Sequence, residues 1–167
     1  MANTAWSFAT LPLAVDPLLQ SIAAASRRLL SEFAQQGLAI TAWSCAQLLW
    51  HDRPLLAAIS AAALPTITEF TLLNLACTAG AFAELALADG PLLHAISAAA
   101  SPLISAGGGD ARAVATTAWA CASLGCADEP LLDAIAAAAM RNCEETRNAS
   151  GVPWALWRGC RPGAAAS

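Results

Sequence analysis

The sequence predicts an all-α protein, an α-solenoid of about four helical hairpins with a period of 37–39 residues. Two motifs return at this interval. A Pro-Leu-Leu triplet begins at Pro17, Pro54, Pro91 and Pro130, and a Thr-Ala-Trp element begins at Thr4, Thr41, Thr78 and Thr117. In the third copy Gly80 replaces the Trp, but the spacing is kept. A constant period of roughly 20–50 residues is typical of stacked repeats.

The composition favours thin helices that pack closely, because much of the apolar content is Ala. Hydrophobic residues make up 57% of the 167 residues and charged residues 12%, about half the usual charged share. The most apolar stretch, from Leu72 to Ala88, contains Asn74, Thr78 and Glu84. It is also shorter than the ~20 apolar residues that a spanning helix needs. We therefore expect no membrane span.

The six Cys residues are predicted to be packing residues with reduced thiols. Cys45 and Cys121 lie two residues after a Trp, at a position where the other copies carry Phe8 and Phe82. A position that accepts either Phe or Cys is a core position, because a thiol behaves as a small apolar group. No Cys-x-x-Cys pair is present, so neither a metal site nor a cofactor is expected. Reduced thiols indicate an intracellular protein.

The first helix of each copy is clearest in the second copy, from Phe33 to Leu49. Its apolar residues, among them Leu38, Ala42 and Cys45, return at spacings of three and four, which is typical of a helix with one buried face. The first copy begins within this helix and is therefore predicted to be truncated. It leaves no room for a targeting peptide before it.

The second helix of each copy is predicted to begin at the Pro-Leu-Leu triplet. An Asp precedes each of the four prolines by one or two residues, at Asp16, Asp52, Asp89 and Asp128. Asp caps a helix by accepting from the amides of its first turn, and Pro suits that turn because it has no amide hydrogen. Leu55 and Ile59 are then predicted to lie in the core with the alanines that follow them.

Several residues predict where the helices end and begin again. Pro65 and Pro102 are expected to end the second helices of copies two and three. Thr66–Glu69 matches a capping box for the next first helix. Gly107–Gly109 predicts a mobile linker, after which Asp110 is expected to cap the first helix of copy four.

Residues 1–140 are interpreted as the repeat array, and residues 141–167 as a degenerate repeat or a disordered tail. The polar segment 141–147 is either a helix or a loop. Trp154 and Trp157 resemble the remnant of a fifth first helix, but neither is in register with the earlier copies.

The repeated aromatic residues Trp6, Trp43 and Trp119, together with Phe82, are predicted to be core residues. Exposed aromatic residues can stack on bases, but these return at one register beside Ala on an apolar face. Gly80 removes one large side chain from this series, and Phe82, Trp50 or Phe70 is expected to fill the space.

A binding surface should instead use exposed polar residues that differ between copies. Four residues after each Trp position come Thr10, Gln47, Glu84 and Ser123, and three residues after each Pro come Gln20, Ala57, His94 and Asp133. Thr41 and Ser44 are placed on the same side of the helix as the first set. Such groups suit the reading of base edges, one base per repeat. The alternative is an ordinary solvated face.

The segments Asn3–Ala9 and Thr117–Ala122, with the Pro-Leu-Leu helices, resemble octotricopeptide-type repeats. The resemblance covers about residues 3–139. It implies an α-solenoid that binds single-stranded RNA in a mitochondrion or chloroplast and supports RNA processing, stability or translation.

The net charge of −4, with all eight basic residues Arg, favours a protein-interaction scaffold as the alternative, since nucleic-acid-binding proteins usually carry a basic face. No Ser-His-Asp set, phosphate loop or carboxylate pair appears. We therefore expect no enzyme activity, no catalytic residues and no small-molecule substrate.

Overall fold

The computed structural model describes residues 16–107, 110–126 and 128–149, and every regular element within them is helical. The all-α class is therefore confirmed. The α-helices are α1 (Asp16–Leu29), α2 (Gln35–Gln47), α3 (Arg53–Ala63), α4 (Leu72–Glu84), α5 (Gly90–Ser105), α6 (Ala111–Leu124) and α7 (Glu129–Ala149). Two 3₁₀ segments, Leu30–Glu32 and Leu64–Glu69, follow α1 and α3.

The helices alternate between two roles, as the sequence period predicts. The first helices of copies two, three and four are α2, α4 and α6, and the second helices are α1, α3, α5 and α7. The central first helix, α4, packs against both α2 and α6, while α5 packs against α7. The 3₁₀ segment Leu64–Glu69 contacts both α3 and α5. Three first helices therefore lie side by side in a row, backed by second helices.

The predicted N-terminal caps at Asp52, Asp89 and Asp110 are confirmed, whereas the Asp128 carboxylate accepts from the Ser97 hydroxyl of α5. The carboxylate of Asp52 accepts from the Leu55 amide at 3.1 Å, and that of Asp89 accepts from the Leu92 amide at 3.2 Å. Asp110 caps α6 and accepts from the Arg112 amide at 2.8 Å. These bonds satisfy amides that have no partner within the first turn.

The predicted capping box at Thr66–Glu69 is wrong. This segment winds into a 3₁₀ helix in which the Thr66 hydroxyl donates to the Ala63 carbonyl. The chain therefore reaches α4 later than expected, and Thr71 is its cap, accepting from the Asn74 amide at 3.3 Å. Sequence spacing alone could not distinguish the two threonines, because both precede the same helix.

The prediction that Pro102 ends its helix is also wrong, since α5 continues to Ser105. Pro102 is exposed, so its ring points away from the core. The last turn is held by other contacts: Arg141 in α7 donates to the Ile104 carbonyl at 2.7 Å. A cation at the end of a helix also interacts favourably with the helix dipole.

The segment 141–147 is helical, because α7 runs to Ala149 without a break. The predictions for Gly108, Gly109, Trp154 and Trp157 lie outside the described residues. Across the described ranges, no helix has both the length and the apolar character needed to cross a bilayer.

The three first helices that the structure describes, α2, α4 and α6, end with the same turn. The residue six positions after the Trp position has a left-handed backbone, with φ of 50° at Leu49, 50° at Ala86 and 69° at Gly125. The amide of the following residue donates back to a carbonyl five positions earlier, at 2.9 Å in all three copies. This is the bonding pattern of a Schellman motif, which fixes the angle between the two helices of a hairpin.

Cys45, Phe82 and Cys121, which occupy one register of the repeat, are buried as predicted. Leu55 and Ile59 are buried as well. Burial, with a contribution from the charge of Asp52, raises the pKa of the Cys45 thiol to about 12. Burial also raises the pKa of Cys121 to about 11, with smaller contributions from Cys126 and Asp128. These thiols are therefore neutral packing groups at physiological pH.

We predict that Ala86→Gly stabilises the protein and that Gly125→Ala destabilises it. A Cβ in the left-handed region costs roughly 1–2 kcal/mol, which the higher chain entropy of Gly offsets in part. Ala86→Gly should raise the free energy of unfolding by about 0.5–1 kcal/mol, and Gly125→Ala should lower it by a similar amount. Urea unfolding measures both. Changes of the same sign would contradict the assignment of a shared turn.

We also predict that stability falls as the pH rises above about 9. The folded-state pKa values of Cys45 and Cys121 lie above the ordinary thiol value of 9.0, so the unfolded chain loses these protons first. Each thiol then contributes a loss of about 1.4 kcal/mol per pH unit up to its folded pKa. The chain contains no Lys and no Tyr, so the other groups that titrate in this range are mainly its remaining cysteines.

Urea unfolding of the wild type and of Cys45→Ala between pH 8 and pH 11 provides the test. The slope of stability against pH should be shallower in the variant. Equal slopes would show that Cys45 is not buried as described.

Candidate binding surface

Three residues of the predicted surface are exposed at matching places. Gln47 lies at the end of α2, Glu84 at the end of α4, and Ser123 in the last turn of α6. Because α2, α4 and α6 lie side by side, these side chains form one line across the row. Thr10, the fourth member of the set, lies outside the described residues.

Thr41 and Ser44 do not belong to this surface, because both are buried. The Thr41 hydroxyl donates to the Gly37 carbonyl at 2.7 Å, and the Ser44 hydroxyl donates to the Ile40 carbonyl at 2.7 Å. A hydroxyl that bonds to its own helix can be buried without an unpaired polar group. Thr78 and Thr117, at the register of Thr41, are buried with the same bond. The sequence prediction treated these residues as polar, whereas they act as small packing residues.

The predicted burial of the Trp residues fails at the end of the row. Trp43 on α2 is half-buried and packs against the core, but the side chain of Trp119 on α6 is 48% exposed. Trp43 is covered because α4 packs beside α2. Among the described elements no first helix follows α6, so Trp119 has no such cover. Trp6 lies outside the described residues.

The space at Gly80 is filled differently from the prediction. The nearest atoms to a Cβ built on Gly80 are Cγ2 of Thr116 at 3.1 Å and Cζ3 of Trp43 at 3.4 Å. The expectation that Phe82, Trp50 or Phe70 occupies this space is therefore wrong. Instead α2 contributes its own Trp and α6 contributes a small Thr, so both neighbours come close to the backbone of α4.

A groove of about 360 Å³ crosses α2, α4 and α6. It is lined by Gln36, Ala39, Ile40, Trp43, Leu73, Asn74, Ala76, Cys77, Arg112, Ala113 and Thr116. Most of these groups are apolar, and Arg112 is the one charged residue among those that line it. The groove can therefore hold a chain-like ligand with apolar or aromatic groups and one anionic contact.

The groove residues occur at matching registers. Seven residues before the Trp position come Gln36, Leu73 and Arg112, and three residues before it come Ile40, Cys77 and Thr116. The first set is exposed and the second is half-buried. Both sets differ in every copy. The criterion that identified Gln47, Glu84 and Ser123 was variation between copies at a fixed register. The groove residues meet the same criterion, so they could also have been found from the sequence.

These registers share one side of each first helix, since positions −7, −3, 0 and +4 follow helical spacing. We call this side the variable face, and it consists of residues at positions −7, −3 and +4 of α2, α4 and α6. Burial raises the pKa of the Cys77 thiol, which keeps it neutral within the face. Arg112 is positive and Glu84 negative, so the charge of the face changes from copy to copy.

The second row carries the other set of variable residues. Gln20, Ala57, His94 and Asp133 are exposed on the second helices. Near His94, the Ser97 hydroxyl donates to the Asp128 carboxylate, and the His94 ring lies 4.0 Å from the same carboxylate. Ser97 is buried, and its hydrogen bond to Asp128 joins α5 to the residue that precedes α7.

No protein-family model matches this chain, and a search of curated proteins finds no similar sequence. Among the described residues, no three His, Cys, Asp or Glu side chains are grouped so that they could hold a metal ion.

We predict that Gly80→Leu destabilises the protein, although a large residue is normal at this register in other copies. The space is already filled by Trp43 and Thr116, and overpacking costs typically about 1–3 kcal/mol. Gly90→Leu is the matched control, because a Cβ there meets nothing within 4 Å. Thermal and urea unfolding compare the variants. Equal small effects would show that α2, α4 and α6 are not packed as closely as described.

Proposed function

We propose that this chain is a non-catalytic binding module that holds single-stranded RNA along the variable face. The observation that carries the proposal is the recurrence of exposed residues that differ in each copy at fixed registers of adjacent helices. Helical repeat proteins read single-stranded RNA in this way, with a few side chains per repeat contacting each base. The resemblance to octotricopeptide-type repeats supports the same ligand, and it suggests a transcript in a mitochondrion or chloroplast.

The proposal includes the arrangement of the repeats as an α-solenoid. It is supported by the equivalent packing of α4 against α2 and against α6, and by the repeated turn after each first helix. When identical contacts join successive units, the units follow one another along a single axis. The variable face then runs along that axis, which suits an extended ligand.

The side chains of the variable face suit bases better than phosphates. The amides of Gln36 and Gln47 and the hydroxyl of Ser123 can bond to base edges, while the groove near Trp43 and Ile40 offers apolar contact. Arg112 supplies the positive group that a phosphate or a guanine edge requires. Binding should therefore depend mostly on base contacts and weakly on salt.

We predict that Arg112→Gln weakens RNA binding and reduces its salt dependence. Each phosphate contact to single-stranded RNA contributes a slope of about −0.7 in a plot of log K against log salt concentration. Loss of Arg112 should remove about one such contact. Filter binding with a mixed RNA pool at several salt concentrations measures the slope. Arg53→Gln, an exposed change on α3, is the control and should leave the slope unchanged.

Two outcomes would contradict the proposal that the variable face binds RNA. If the wild type retains no RNA from the pool at low salt, the RNA proposal is rejected. If Arg112→Gln and Arg53→Gln change binding equally, the variable face is not the site.

A protein segment is the second candidate ligand, and the apolar lining of the groove favours it. Leu73 is 57% exposed on α4, the middle helix of the row, and it lines the groove together with half-buried Ile40 and Trp43. Large exposed apolar groups beside a groove are typical of sites that hold an amphipathic peptide. The net charge of −4 is also less unfavourable for a peptide than for RNA.

For this candidate we predict that Leu73→Asp abolishes peptide binding. Peptides selected from a random display library on the wild type should lose affinity for Leu73→Asp by at least about tenfold, since burying an unpaired charge is costly. Leu132→Asp, an exposed position on α7, should bind as the wild type does. Selected peptides that bind both variants equally would place the peptide site elsewhere.

A further inference from the structure

The turn that ends α2, α4 and α6 brings two registers of the repeat together. The residue seven positions after the Trp position donates its amide to the carbonyl of the residue two positions after it. The bond is 2.9 Å long in each pair, from Trp50 to Cys45, from Leu87 to Phe82 and from Cys126 to Cys121. In a Schellman motif, a side-chain contact near this bond is common.

Both registers carry apolar side chains that belong to the core or pack against it. Phe82 and Leu87 are neighbours, since they line one surface cavity together. In copy four both registers hold cysteine, with Cys121 buried and Cys126 half-buried. The turn therefore brings two thiols to a place where the other described copies pair larger apolar groups.

The backbone at these two cysteines fits a disulfide. The Cα atoms of Cys121 and Cys126 lie at most about 7 Å apart, because one hydrogen bond and three short covalent bonds connect them. Disulfides join Cα atoms that are about 4.4–6.8 Å apart. Burial raises the pKa of the Cys121 thiol to about 11, and the charge of the nearby Cys126 contributes to this rise. Both thiols are free in the structure.

The two thiols differ in how far a reagent in solution can reach them. Cys126 lines an open cavity of about 420 Å³, together with His94 and Asp128, whereas Cys121 is only 5% exposed. A small oxidant therefore meets Cys126 first. The exposed Cys143 does not compete for Cys126, because it lies about 20 Å along α7 from the start of that helix at Glu129.

We propose that Cys121 and Cys126 form a reversible disulfide by exchange with a small disulfide such as glutathione disulfide. The Cys126 thiolate attacks one sulfur of the small disulfide, whose S–S bond breaks and releases one thiolate. Cys121 then gives up its proton and attacks the Cys126 sulfur of the mixed disulfide, which releases the second thiolate. Two protein thiols are oxidised to one disulfide, and one small disulfide is reduced to two thiols.

The disulfide locks the turn between α6 and α7. It closes a ring over the last turn of α6 and the left-handed Gly125, so the turn can no longer open while the ring is intact. Copies two and three lack the second cysteine at this place, so their hairpins keep the same turn without this link. The proposal does not depend on which ligand the variable face binds.

Mass spectrometry of the full chain in glutathione buffers tests the proposal. Trypsin cleaves after Arg, and fragment 113–141 contains Cys121 and Cys126 and no other cysteine. After free thiols are blocked with N-ethylmaleimide, the oxidised fragment carries no label and is lighter than the unlabelled dithiol by two hydrogens. The native chain should form this disulfide at a ratio of oxidised to reduced glutathione at least about tenfold lower than the chain in concentrated urea, because the folded turn holds the thiols together. Fragment 142–147, with Cys143 alone, reports mixed disulfides in the same sample.

Thermal unfolding of Cys126→Ser provides the matched control. The unfolding temperature of the wild type should rise by several degrees between reducing and oxidising glutathione buffers, because the disulfide restricts the unfolded chain. That of Cys126→Ser should not change, and circular dichroism should show that the variant is folded.

Three results would overturn the proposal. The first is a native fragment 113–141 that keeps two labels in buffers that oxidise the urea-unfolded chain. The second is oxidation of the native and the unfolded chain at the same glutathione ratio, which would mean that the turn does not favour the disulfide. The third is an equal rise of the unfolding temperature in the wild type and in Cys126→Ser, which would assign the effect to other cysteines.

Discussion

The structure depends on how closely the first helices approach one another. Alanines line both sides of α4, Gly80 leaves room for the Trp43 indole, and Thr116 fits over the same backbone. Buried threonines keep this approach possible because their hydroxyls bond to carbonyls of their own helix. A larger or unpaired polar side chain at any of these positions would separate the helices, since interiors are packed without spare volume.

The close packing also decides which residues can take part in binding. Small residues line the sides of α2 and α4 that meet a neighbouring first helix, whereas the registers of Gln36, Leu73 and Arg112 face outward. These registers are free to differ between copies without disturbing the core. A row of similar helices with dissimilar outward residues is a physical basis for recognising an extended ligand, whether RNA or peptide.

Position within the row changes the role of a residue. Trp43 and Trp119 occupy the same register, yet the first packs beneath a neighbouring helix and the second is half-exposed. The alanines around them differ in the same way. The difference arises from the neighbours and not from the residues, because a helix in a repeat array buries its stripe only where another unit stacks on it.

The sequence alone is enough to predict the period, the helical class, the caps at Asp52, Asp89 and Asp110 and the packing role of Cys45 and Cys121, because these features depend on local hydrogen bonds and on repeated composition. The packing of the helices was needed to show that Thr41 and Ser44 are buried, that Trp119 is exposed, that Gly80 is filled from two neighbouring helices and that Thr71 replaces Thr66 as a cap. Burial depends on which helix packs alongside, and the sequence pattern of one helix does not contain that information. The registers of Gln36 and Ile40 can be recognised in the repeat as variable. Only the groove between the helices shows that these residues lie together on one surface.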